Sequence, residues 1–106
     1  MELSEYQANA KTTAVYPGRL DGRFFYPSIG LAGEVGELLN KIKKIARDGA
    51  DANIDEIKGE VGDVLWYLSQ ICTEFGISLD DAAEYNLKKL KSRAERGTIE
   101  GSGDNR

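Results

Sequence analysis

The 106-residue chain has no histidine, one cysteine, two prolines and one tryptophan. Without imidazoles there are no zinc sites of the Cys/His type, no histidine general base and no Glu-x-x-His ligation of a di-iron bundle. The lone Cys72 excludes an intramolecular disulfide framework and suits a reducing cytoplasm. Its place within an apolar series marks it as a core residue. No apolar run approaches the roughly 20 residues of a membrane span, and Met1-Glu2-Leu3-Ser4 does not open a signal peptide. No membrane partner is therefore expected. Basic residues are outnumbered, 14 against 18 acidic, for a net charge of -4. That balance argues against a nucleic-acid polymer as partner. Strand-like alternation is also nearly absent.

What remains is helical spacing. Hydrophobic residues make up 41% and charged ones 30%, the composition of a single small globular domain. A domain of this size buries only roughly 60–70% of its unfolded surface, so a core shared between copies is expected. Four segments carry apolar residues three and four apart. The first runs from Ser4 to about Val15, opened by the capping-box pattern Ser4-x-x-Gln7 and stopped by Tyr16-Pro17-Gly18. A loop over 16–28 holds Phe24, Phe25 and Tyr26. The second helix begins near Ser28 and ends at Asp48-Gly49, with the stripe Leu31, Val35, Leu38, Ile42 and Ile45. The third starts at Asn53-x-x-Glu56 and ends at Phe75-Gly76; the fourth runs from Ser78 to about Arg96. Short connections favour antiparallel neighbours. The expected architecture is all-α, an antiparallel four-helix bundle completed by oligomerisation, with a helical domain over 1–97 and a Gly-rich tail over 98–106.

One hexapeptide pattern occurs twice, as Gly33-Glu34-Val35-Gly36-Glu37-Leu38 and as Gly59-Glu60-Val61-Gly62-Asp63-Val64. At about 100° per residue, Glu34 and Glu60 lie roughly 60° from their apolar stripes, and Glu37 and Asp63 roughly 120°, on the same flank. Antiparallel packing turns equal flanks to one side of the helix pair. Glu34, Glu37, Glu60 and Asp63 are thus expected to line one groove. Four ionised carboxylates repel, and relief comes from protonation, from Lys or Arg, or from a cation. Oxygen ligands alone favour a hard ion, Mg²⁺ with Mn²⁺ as the alternative. Such a groove repels a bare polyanion, so a phosphate substrate has to arrive through the metal. A single Glu-x-x-Glu is ordinarily a solvated face. The four glycines sharpen the pattern, since each costs about 0.8–1 kcal/mol in a helix interior and so points to close backbone approach or a ligand.

On the fourth helix Asn86 falls in the apolar stripe, with Lys89 and Arg93 on the same face. These three read either as a phosphate-binding edge or as a buried asparagine beside ordinary C-terminal basic residues. Lys41 lies one turn beyond Glu37, where it either assists with phosphates or belongs to a solvated turn. Phe24, Phe25 and Tyr26 read as a plug over the helix junction or as a stacking surface for a base. Trp66, on the opposite side of the third helix, is expected at an oligomer contact.

At these residues the sequence resembles the MazG-like family of all-α nucleoside triphosphate pyrophosphohydrolases, over about Tyr6 to Arg106. Glu34 and Glu37 match the second and third acids of the family's Glu-Glu-x-x-Glu motif, with Gly33 replacing the first. Glu60 and Asp63 match its Glu-x-x-Asp. Asn86-x-x-Lys89-x-x-x-Arg93 is similar to the family's phosphate-contacting helix, and the segment from Arg96 to Arg106 resembles the C-terminal signature of one small subgroup. The resemblance implies Mg²⁺-dependent hydrolysis of a (deoxy)nucleoside triphosphate to monophosphate and pyrophosphate, often for nucleotide-pool housecleaning. It also implies homodimers or homotetramers, with Glu34 or Glu37 orienting or deprotonating the attacking water. Other superfamily branches remain open, a dUTP/dCTP pyrophosphatase or a phosphoribosyl-ATP pyrophosphohydrolase. So does a non-catalytic helical oligomerisation or regulatory module.

Overall fold

The computed structural model describes residues 1–18, 22–97 and 100–104. Its four helices are α1 (Leu3–Lys11), α2 (Phe25–Asp48), α3 (Ile54–Glu74) and α4 (Leu79–Arg96), with no strand among the described residues. The all-α expectation holds. Of the Gly-rich tail over 98–106, residues 100–104 are described, whereas Thr98, Ile99, Asn105 and Arg106 lie outside the described residues.

Three helix boundaries fall where local chemistry put them. The Asn53 side chain accepts the Glu56 backbone N–H and the Ser78 hydroxyl accepts that of Asp81, so α3 and α4 begin on capping residues. Gly49 ends α2 in the left-handed conformation at φ 64. The first segment departs from expectation. Glu2, not Ser4, precedes α1 and makes no side-chain cap. The helix stops at Lys11 because the Thr12 and Thr13 hydroxyls donate to the Asn9 and Ala10 carbonyls, at 2.6 and 3.0 Å, and absorb its last acceptors. Helix α2 starts three residues early. Pro27 sits inside its first turn, where a missing N–H has no partner to lose.

Helices α2 and α3 pack side by side, and the pairing is antiparallel. Lys41 of α2 reaches Glu56 and Glu60 of α3 near the turn, and Gly30 abuts Tyr67 at the far end. Helix α1 bridges α3 and α4. Gln7, read as a capping-box residue, instead clips three segments. Its amide nitrogen donates to Thr73 Oγ1 (3.1 Å) and to the Ile77 carbonyl (3.0 Å), and its oxygen accepts the Leu79 N–H (2.8 Å). Trp66, expected at an oligomer contact, is engaged within the chain. Its indole N–H donates to Thr13 Oγ1 at 2.9 Å, and its ring meets Tyr16 and Tyr67 edge-on. The apolar core is thin: Ala10, Tyr16 and Leu79 are buried, while Val35, Leu39, Ile42, Val61 and Leu68 of the α2 and α3 stripes are exposed.

Candidate functional site

The antiparallel register brings Glu34 level with Asp63 and Glu37 level with Glu60. Glu34, Glu60 and Asp63 each offer a carboxylate oxygen within 4.8 Å of the others. Glu34 and Glu60 are half-buried and Asp63 is exposed. Desolvation first, then the charges of Asp63 and Glu60, a carboxyl hydrogen bond with Glu60 and the charge of Glu37 push the Glu34 carboxyl above its ordinary range. The groove therefore holds excess negative charge that the chain itself leaves largely unbalanced. Lys41 is the nearby cation, 3.8 Å from Glu60 Oε1 and 3.9 Å from Glu56 Oε2. Glu37 is exposed and stands outside the three-carboxylate cluster.

This donor set fits a hard divalent ion. It is all oxygen, converges from two helices and carries electrostatic repulsion that a cation relieves. The four flanking glycines do not serve close helix approach within the chain. A Cβ built on Gly33, Gly36, Glu37's neighbour in the motif, or on Gly59 and Gly62 would meet nothing within 4 Å. That part of the sequence reading is corrected, because the α2–α3 seam runs along other positions.

Aromatic side chains continue the groove beyond the acids. A cavity of about 240 Å³ is lined by Tyr26, Ile29, Gly30 and Tyr67. Gly30 has a steric role, since a Cβ there would overlap the Tyr67 ring. Burial chiefly, and then the charges of Tyr26, Glu34 and Asp63, raise the Tyr67 phenol above its usual range. The Tyr6 phenol on α1 is raised likewise, by burial and then Asp63. Tyr26 stacks on Tyr16, ring centroids 5.2 Å apart. Phe24 and Phe25 part company with Tyr26: they stack on each other, and Phe24 also meets Phe75 at 5.2 Å, at the C-terminal end of α3. The run thus divides, and Tyr26 borders the acidic groove. Gly30 was missed by sequence reading, although it stands one helical turn before Glu34 and so on its face.

Helix α4 takes no part in the acidic cluster. Asn86 is exposed, which rules out the buried-asparagine reading. Lys89 and Arg93 turn to the tail, where both bind the Asp104 carboxylate, at 2.9 and 3.2 Å. No ion pair joins them to Glu34, Glu60 or Asp63 among the described residues.

A helical hairpin that aims paired acids into one groove defines a class, and comparison with known families agrees: residues 29–98 match the MazG nucleotide pyrophosphohydrolase domain, and the chain belongs to that family. Over its whole length it is similar to the Gene 37 protein of Mycobacterium phage L5, 43% identical across 114 aligned positions that cover both chains completely. No solved structure matches. No helix of the described residues is long and apolar enough to cross a membrane.

Proposed function

We propose that the protein is a Mg²⁺-dependent pyrophosphohydrolase that converts a (deoxy)nucleoside triphosphate and water to the monophosphate and pyrophosphate, in nucleotide-pool housecleaning. The observation that carries this reading is the meeting of Glu34, Glu60 and Asp63 within 4.8 Å beside an aromatic cavity. These three carboxylates would hold the cation, with Glu37 at its edge. When bound, Mg²⁺, or Mn²⁺ in its place, supplies polarisation of phosphate oxygens and neutralises their charge.

The chain's own residues divide the remaining work. Glu37, exposed and outside the cluster, accepts the proton of the attacking water, while Glu34 orients that water from the half-buried side. Tyr26 and Tyr67 offer stacking faces for the base. Phe24 and Phe25 pack toward Phe75 at the start of α2 rather than contacting the base. Lys89 and Arg93 on α4 neutralise the leaving pyrophosphate, and Asn86 on the same helix donates a hydrogen bond to it. Lys41 serves the same end once a cation takes over Glu60. The catalytic domain comprises residues 1–97, with 98–106 as its tail, and a single free thiol suits a reducing cytoplasm.

The working unit is a homodimer or homotetramer. A folded monomer of 11.6 kDa ordinarily exposes about 5,800 Å², whereas this chain exposes 7617 Å². Its radius of gyration is 16.5 Å, against about 13 Å for a closed domain of this length. The excess surface includes the open apolar positions of α2 and α3, which a second copy covers. The deciding experiment measures pyrophosphate release from a panel of canonical and damaged nucleotides with and without Mg²⁺. Release that needs the metal supports the enzyme. No release from any member, together with unaltered melting on adding Mg²⁺, leaves a helical oligomerisation module.

A further inference from the structure

On the buried side of α4 a small, complete anion site is already filled by the chain itself. Arg93 is 4% exposed. Its Nη2 donates to Asp104 Oδ1 and to the Gly103 carbonyl, both at 3.2 Å. Lys89 Nζ donates to the same Asp104 oxygen at 2.9 Å. One carboxylate oxygen thus lies between two cations fixed a helical turn apart, the placement of a phosphoryl oxygen in an Arg–Lys fork. The fit is imperfect in an informative way. Arg93 Nε is buried and has no hydrogen-bond partner, so the carboxylate leaves part of the guanidinium's donor capacity unused.

The Asp104 side chain is 80% exposed, so water screens the carboxylate side of both ion pairs and offers the carboxylate an alternative partner. A pyrophosphate group brings more charge and more acceptor oxygens than one carboxylate. The Lys89 hydrogen bond first, and then Arg93, hold the Asp104 carboxyl below its usual range, so it stays ionised and remains a competitor at neutral pH.

We propose that Asp104 is an internal competitor for phosphate: its carboxylate fills the Lys89–Arg93 fork, and a phosphate-bearing ligand binds there only by ejecting it. The identity of the natural ligand rests on the nucleotide reading above; the competition does not. Its consequence is a C-terminal segment that lowers affinity for the leaving group and so favours pyrophosphate departure.

The test is titration of the full chain with inorganic pyrophosphate at low ionic strength and without divalent metal, followed by NMR. The expected result is that Asp104→Asn binds pyrophosphate about threefold to tenfold more tightly than the parent. Glu100→Gln, which removes the same charge from the same segment, is expected to match the parent within about twofold, and adding Lys89→Ala to Asp104→Asn cancels the gain. Equal or weaker binding by Asp104→Asn, or an equal gain in Glu100→Gln, overturns the proposal. Failure of nucleotide hydrolysis with Mg²⁺ would sink the enzyme reading and leave this metal-free result standing.

Discussion

The α2–α3 groove and the junction where α1 meets the end of α3 are built on opposite principles. In the groove, three carboxylates crowd within 4.8 Å and Glu34 is pushed toward protonation. At the junction, Gln7 and Glu74 gather partners, although the buried Gln70 amide beside them has none: Gln7 satisfies three groups, and Tyr16 donates to Glu74 at 2.8 Å while Arg23 binds the same carboxylate and lies 4.8 Å over the Tyr16 ring. Unbalanced charge costs stability and is retained where a ligand is to be bound; paired polar groups hold elements together. The two regions should therefore answer mutation with opposite signs.

The largest expected effect is in the groove. Asp63→Asn or Glu37→Gln should lower pyrophosphohydrolase activity at least about 100-fold, yet leave the metal-free protein as stable as the parent or more so. Thermal melts should also show that Mg²⁺ stabilises the parent and not Asp63→Asn. A large loss of metal-free stability in both variants would break the comparison. The pH dependence has the matching sign. A carboxyl whose folded pKa is raised binds its proton more tightly when folded, so the Glu34 cluster gains stability as pH falls through that raised value toward the ordinary 4.5.

The junction gives the next effect. Gln7→Ala removes three hydrogen bonds at two helix ends and should cost about 1–3 kcal/mol, with a melting temperature roughly 4–8 °C lower for each kcal/mol. Activity measured well below the transition should be retained. Parent-like melting would mean that α1 is held by other contacts.

A third test separates vacant helix surface from surface reserved for a ligand or a second copy. A Cβ at Gly36 meets nothing within 4 Å in the single chain, so Gly36→Ala should stabilise by about 0.8–1 kcal/mol. Loss of oligomer or of Mg²⁺-dependent activity in that more stable variant would assign the open space to a partner or substrate. Size-exclusion chromatography and the release assay read both.

The smallest effect lies in alkali. Burial first, and then Glu74, push the Tyr16 phenol up to about 12. Its contribution is complete below about pH 10 and is lost as pH rises toward 12, because the unfolded chain releases that proton first. Tyr16→Phe should narrow its stability deficit across that window, read as the difference between parent and variant melts.

Much of this was legible from residue order, for reasons of range. Apolar spacing, the Asn53 and Ser78 caps and the glycine stops act within one or two turns of chain, so helices α2 to α4 and the shared flank of the two acidic motifs follow from local geometry. Gln7 was misread for the same reason: a capping pattern looks three residues away, whereas its partners lie 66 to 72 residues on. Only the tertiary structure decided which three of four acids converge, that Tyr26 separates from Phe24 and Phe25, that Trp66 turns inward, and that the α4 cations close on Asp104. Each depends on helix register and on through-space approach between distant segments. Side-chain contacts of a few ångströms are set there, beyond the reach of any periodicity.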